Sequence, residues 1–258
     1  MTNKLYVGLT KTIEPPKGGC LFISDEVPNV PRSRIFDPME HCFDPLKDLD
    51  YRKAREIAEI LYTIAPQGEN TLTVRNGKRA LLKLLLENPA RLDEIEMPVS
   101  SGRNKADDAA IEAVSAIQDV LVSPVLRRVL CNPTNFSFNP RSTIFARISR
   151  AELGDFDALV LGLFLMAHFK GQLVIPDLGF YGREAHVKYI REGRLIAGVN
   201  TLSELPAKLR QSVLLIKDKV ASRTTYEDAQ TLALYEGHNP DPLREDNEYN
   251  KFIQRSIA

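Results

Sequence analysis

The chain of 258 residues has no surplus of either charge, since Lys+Arg and Asp+Glu both number 34. Bulk electrostatics therefore supplies no general attraction to nucleic acid, although a zero sum leaves room for a local basic patch. Cysteine is scarce: Cys20, Cys42 and Cys131 are scattered, odd in number and in no metal-like pair. That pattern excludes a disulfide framework and a zinc knuckle, and it fits a reducing compartment. The opening stretch, MTNKLYVGLTKTIEPP, lacks the apolar core of a signal peptide. The longest apolar run, Ala158 to Ala167, is too short for the roughly 20 residues that cross a bilayer. Neither an internal repeat nor a low-complexity tract occurs. The expectation is a soluble, cytoplasmic protein without a membrane span. With 43% hydrophobic residues it can bury one good core and a lesser lobe.

What the chain does have is alternation. Six prolines punctuate residues 1–47, with strand-like pieces between them at Leu5-Tyr6-Val7, Leu21-Phe22-Ile23 and Arg34-Ile35-Phe36. Two near copies follow, Phe36-Asp37-Pro38 and Phe43-Asp44-Pro45-Leu46, each of which puts a carboxylate before a proline and so out of helix. Asp50 opens a helix in which Ala54, Ile57, Ala58, Leu61 and Tyr62 share a face. Gln67 to Asn70 reads as a loop. Further helices are expected over about 76–86, 108–122 and 124–130, the last with Pro124 at a favourable first position. Residues 97–107 read as the most loop-like part of the middle. A strand over 143–148 leads to a helix that is apolar on nearly all sides, with Asp155 and Asp157 in its first turn.

The most informative stretch runs from Gly171 to Ala233. Three apolar runs stand in it: Leu173-Val174-Ile175, Leu195-Ile196-Ala197-Gly198-Val199 and Val213-Leu214-Leu215-Ile216. Each is short and bounded by glycine, proline or charge, as buried parallel strands are. Helix-compatible segments over 183–192 and 202–211 separate them, which makes βαβ units and predicts three parallel strands of one sheet. A last helix is expected from Tyr226, capped by Thr224 or Thr225 with Glu or Asp downstream as the reciprocal partner. We read residues 1–236 as a single α/β domain, a mainly parallel sheet flanked by helices with a helical insertion at about 48–132, and 237–258 as a polar tail with room for a short helix at its end. In such a sheet ligands bind at the carboxyl ends of the strands, where Asp177 and Asn200 stand.

These phrases, taken in order, resemble a family. The strand Gln172–Asp177 (QLVIPD), then Arg191-Glu192-Gly193-Arg194 before a strand ending at Asn200, then Leu202-Ser203-Glu204-Leu205-Pro206, then Tyr226-Glu227-Asp228-Ala229, resemble the second half of the HerA/FtsK-type P-loop ATPases, which include conjugative coupling proteins of the TraD kind. The two Asp-Pro phrases resemble those that follow the family's second strand. The resemblance covers about residues 33–66 and 143–234. It implies a P-loop-NTPase-like fold, ATP and Mg²⁺ as cofactors, DNA as a partner in translocation or packaging, and an assembly of like or partner ATPase subunits. On this resemblance Asp177 is the catalytic Walker B carboxylate and Mg²⁺ ligand, Asn200 the catalytic sensor residue, and Lys11, Thr12 and Asp37 the cofactor-binding set.

The chain departs from that pattern twice. Such an ATPase needs one carboxylate near Mg²⁺ and a second to orient the attacking water, but Leu178 follows Asp177. It also needs a glycine-rich loop with a lysine to cradle phosphates, and no G-x-x-x-x-G-K-[ST] occurs. Gly8-Leu9-Thr10-Lys11-Thr12 has the Lys-Thr without the second glycine; Asn76-Gly77-Lys78-Arg79 has the Gly-Lys, but Leu72 stands for the first glycine and Arg79 for the hydroxyl. Lys11-Thr12 is the better placed, because it precedes the Asp-Pro phrases. The reading is a degenerate ATPase relative with negligible turnover of its own.

Two alternatives stay beside it. One is a non-catalytic structural or interaction protein that keeps only the fold. The other is a metal nuclease of PD-(D/E)xK type, from Pro176-Asp177, Glu184 and Lys188, although the spacing from Glu184 to the lysine is too long. Among single residues, His168 reads as a core histidine and His186 as either structural or part of the site. Arg183, Arg191, Arg194, Arg210 and Arg223 read as a solvated face or as groups that reach a neighbour's phosphates.

Overall fold

The computed structural model describes residues 2–8, 13–16, 18–27, 31, 34–64, 71–87, 91–95, 105–238 and 248–257. Seven strands form one sheet: β1 (Lys4–Gly8), β2 (Cys20–Ser24), β3 (Ile35–Phe36), β4 (Ile144–Arg147), β5 (Gln172–Ile175), β6 (Leu195–Val199) and β7 (Asp218–Ser222). Their spatial order is β3-β4-β2-β5-β6-β1-β7, and β2–β5, β5–β6, β6–β1 and β1–β7 pair in parallel. The α/β fold with a mainly parallel, helix-flanked sheet is the one expected. Every residue of β5 and β6 is buried, which is why both read as unbroken apolar runs.

One expected strand is a helix. Val213 and Leu214 belong to α9 (Ala207–Leu214), and Leu215 and Ile216 follow its end. Within the run Val213, Leu214 and Ile216 are buried, while Leu215 is 74% exposed. A four-residue apolar run fits either element. The third parallel strand is β7, DKVAS, which lies at the sheet edge and is largely exposed, so it carries no apolar run.

The chain folds into two compact units, Met1–Ser24 with Pro140–Phe145 and Gly171–Ala258, and Asp25–Asn139 with Ala146–Lys170. The second unit contains α1 (Tyr51–Ile64), α2 (Thr71–Glu87), α3 (Lys105–Leu121), α4 (Pro124–Cys131), α5 (Arg150–Leu153) and α6 (Asp155–His168). Asp50 caps α1, accepting the Lys53 N–H at 2.7 Å, and Ser123 caps α4, with Pro124 in its first turn. An aromatic cluster of Phe36, Phe43, Phe136 and Phe138 forms its core, with ring centroids 5.0–5.7 Å apart. His168 packs on Phe43 and Phe138 within it. Helix α3 begins inside the stretch read as a loop, while residues 67–70 and 97–104 lie outside the described residues.

The first unit carries α7 (Leu178–Tyr181), α8 (Val187–Arg191), α9, α10 (Tyr226–Tyr235) and α11 (Glu248–Ile257). Helix α11 falls in the stretch read as a polar tail. It buries Tyr249 and Ile253 against Ala229 and Ala233 of α10. Among the described residues no single helix is long and apolar enough to cross a membrane, although α3 and α4 taken together, bent by 105°, reach the length and composition.

Candidate functional site

Strand register assembles the site in the first unit. Val7 of β1 is level with Val199 of β6, so Gly8 stands beside Asn200 at the carboxyl edge. Gly8 is also level with Ser222 of β7. Ile175 of β5 is level with Ala197, and Asp177 lies in the turn two residues past the end of β5. Adjacent strands are about 4.8 Å apart, so the carboxyl ends of β5, β6, β1 and β7 lie side by side, with Gly8 and Ser222 at the last two and Asp177 and Asn200 just past the first two.

Gly8 is required by two constraints. Its φ is 94°, in the left-handed region, and a Cβ there would overlap the Ser222 carbonyl oxygen. Arg223, just after β7, also has a left-handed backbone, with φ 53°, and its side chain is exposed. Lys11 and Thr12, which follow β1 in the sequence, lie outside the described residues.

Asp177 is half-buried and caps α7, its Oδ1 accepting the Phe180 N–H at 3.0 Å. Leu178, at the position where a second carboxylate would stand, is 0% exposed and faces the core. Asn200 is exposed at the end of β6. One carboxylate suffices for Mg²⁺, which keeps several waters and leans on substrate phosphates. Among the described residues no group of three His, Cys, Asp or Glu side chains could hold a metal ion by itself. The donor set thus fits binding of a phosphate-borne Mg²⁺, and Leu178 supplies no second carboxylate next to Asp177 in the chain.

Two acids at this edge escaped the sequence reading. The Glu204 carboxylate lies against Gly179, whose missing Cβ leaves it room two residues from Asp177. Asp228 of α10 is 6% exposed, and its Oδ2 accepts the N–H of Leu202, two residues past Asn200, at 3.0 Å. Both belong to phrases visible in the sequence, but nothing in the spacing says what either acid touches.

The other singled-out residues have structural partners. His186 is 4% exposed, stacks on Tyr189, and its Nδ1 accepts the Arg183 N–H at 3.1 Å. Its pKa is pushed down to about 3, by burial first and then by Lys188 and Arg183. The Arg183 guanidinium donates to the carbonyls of Phe180 at 3.0 Å and Gly182 at 2.8 Å, closing the end of α7. Arg194 bonds the Gly171 carbonyl at 2.9 Å and pairs with Glu192. Glu184 pairs with Lys208 at 2.8 Å, and the Lys188 ammonium lies over the Tyr189 ring. Asp37, in the second unit, pairs with Arg147 at 2.8 Å and caps the turn at Met39. Arg191 and Arg223 are exposed and Arg210 is half-buried.

Solved structures share this architecture. The chain is similar to a bacterial conjugative coupling protein, TrwBdeltaN70, in its trigonal form with sulphate, at 14% identity over 90% of this chain and 73% of that chain, with a TM-score of 0.54. The unbound monoclinic form of that protein matches at 13% identity over 90% and 72%, with a TM-score of 0.54. The plasmid coupling protein TrwB in complex with the non-hydrolysable ATP analogue ADPNP matches at 12% identity over 90% and 73%, with a TM-score of 0.53. At such identities the likeness is one of fold, and the fold is P-loop-NTPase-like. No protein family matches the sequence, and no curated protein does.

Proposed function

We propose that this chain is a degenerate relative of the HerA/FtsK-type P-loop ATPases, binding a nucleotide with Mg²⁺ at the carboxyl edge of its sheet and acting with DNA in an assembly of like or partner ATPase subunits. The observation that carries this reading is the row of strand ends: Gly8 at the exit of β1, Asn200 beside it and Asp177 just past the next strand. The order of strands and the likeness to coupling proteins, one of them solved with an ATP analogue, support it. In this reading Asp177 would hold Mg²⁺, Asn200 would meet the terminal phosphate, and Lys11 and Thr12, which follow β1 in the sequence, would meet the others. The resemblance alone assigns Asp37 to the cofactor-binding set; in the second unit it pairs with Arg147.

Calorimetry with ADPNP, with and without Mg²⁺, tests the binding. Saturable heat that needs Mg²⁺ and is lost in Asp177→Ala is the expected result. A second reading, a protein that keeps the fold alone, is favoured by the buried Leu178 and by the use of Asp177 as a helix cap. Absence of heat in both conditions decides for that second reading.

A further inference from the structure

We propose that Asp228 is a positioning residue of this site, holding the turn that carries Asn200 and bracketing the exit of β1. The inference rests on the nucleotide reading above and names a residue that reading does not use. Asp228 is the third residue of α10, whose N-cap Thr225 accepts the Asp228 N–H through Oγ1 at 3.2 Å. In a capping box the side chain at this position turns back to the N-cap N–H. Here the carboxylate is directed elsewhere, to the N–H of Leu202, 26 residues away, at 3.0 Å. Leu202 opens the short turn Leu202–Glu204 after β6 and is itself 2% exposed.

The strand order gives this bond its meaning. β1 lies between β6 and β7, and Gly8 is level with the ends of both. Asp228 follows β7 and Leu202 follows β6, so their hydrogen bond joins the strands on either side of β1 at their carboxyl ends. The chain leaves β1 at Gly8 between the two ends so joined. A carboxylate at 6% exposure is costly to bury and is offset here by the N-terminus of α10 and by the Leu202 N–H. An apolar residue would pack at this depth without that cost, but it would leave the turn after Asn200 untied.

Three variants test the role by two measurements, amide exchange at Leu202 and calorimetric affinity for Mg²⁺-ADPNP. Asp228→Ala removes the acceptor. Asp228→Asn keeps a carbonyl oxygen in its place. Thr225→Ala removes the cap of α10 and leaves the carboxylate, so it matches the stability loss without touching Leu202. The expected result is that Asp228→Ala exposes the Leu202 amide and weakens nucleotide binding about tenfold, that Asp228→Asn recovers affinity to within about threefold, and that Thr225→Ala stays within about threefold at a similar Tm loss. Affinities that follow Tm across all three variants, or an unchanged Leu202 amide in Asp228→Ala, overturn the proposal. If the unaltered protein binds no ADPNP, the nucleotide reading falls by itself. Amide exchange then decides alone: loss at Leu202 in Asp228→Ala but not in Thr225→Ala supports the positioning role, and no difference overturns it.

Discussion

At the scale of single residues, the departure from a working ATPase is one of burial as well as identity. Leu178 is 0% exposed, so a carboxylate placed there would enter the core and not the site. Leu178→Glu should lower the unfolding free energy by about 3 kcal/mol or more, read by denaturant titration, and should gain no turnover. Asp177 has two separable roles. Asp177→Asn keeps an acceptor for the Phe180 N–H and should unfold nearly as the parent does, yet lose the Mg²⁺ dependence of ADPNP binding; Asp177→Ala should also lose about 1 kcal/mol of stability with the cap. Two histidines, the buried His186 and the half-buried His168, make stability fall in acid. His168 is pushed down to about 4 by burial first and then by Lys53, Lys170 and Lys47, and His186 to about 3 by burial and then by Lys188 and Arg183. Both stay neutral in the folded chain while the unfolded chain takes up protons near pH 6.5. Their contribution is therefore complete above pH 6.5 and drains as pH falls toward about 4 and about 3. Each histidine costs up to about 1.4 kcal/mol per pH unit in that window. His168 has a buried Nδ1 with no partner among the described residues, so His168→Phe should flatten the profile, gaining stability over the parent at pH 5 but not at pH 7.5 in urea titrations.

At the scale of elements, the edge of the sheet was the hardest part to read. β7 reads as polar because its sheet position leaves one side unpaired, and its Lys219 is drawn into an ion pair with Glu236, just past α10, at 2.6 Å. Helix α11 then docks on α10, and the Thr224 N–H at the end of β7 bonds the Ser256 carbonyl at 3.0 Å. The same α10 carries Asp228. Ile253→Ala should cost about 2–4 kcal/mol, because Ile253 is 4% exposed between α11 and α10 and its removal leaves a cavity. Thermal unfolding reads the loss, and a change under 1 kcal/mol would mean that α11 does not belong to the cooperative fold.

At the scale of the whole molecule, we expect no steady-state phosphate release above an Asp177→Ala control, alone or with DNA, because the missing base alone typically removes about two to four orders of magnitude in rate. Mg²⁺-dependent turnover that vanishes in the control would reveal a working site completed by groups outside those described. With Lys+Arg and Asp+Glu equal at 34, any affinity for DNA comes from local patches and should fall steeply with salt. The sequence by itself determined the element types wherever burial is continuous or periodic: β5 and β6 as apolar runs, α1 as an amphipathic face with its Asp50 cap, α6 as a helix buried nearly all round. Those signals are local, since each element's own faces set its period. The tertiary structure alone decided which strand lies beside which, and so brought Gly8 and Asn200, 192 positions apart, to one edge with Asp177 between them in the chain. It also decided that Val213 closes a helix, that the edge strand is DKVAS, and that the Asp228 carboxylate serves Leu202 in place of its own helix cap. Such contacts leave no period in the chain, because they follow from how finished elements dock and not from how each one forms.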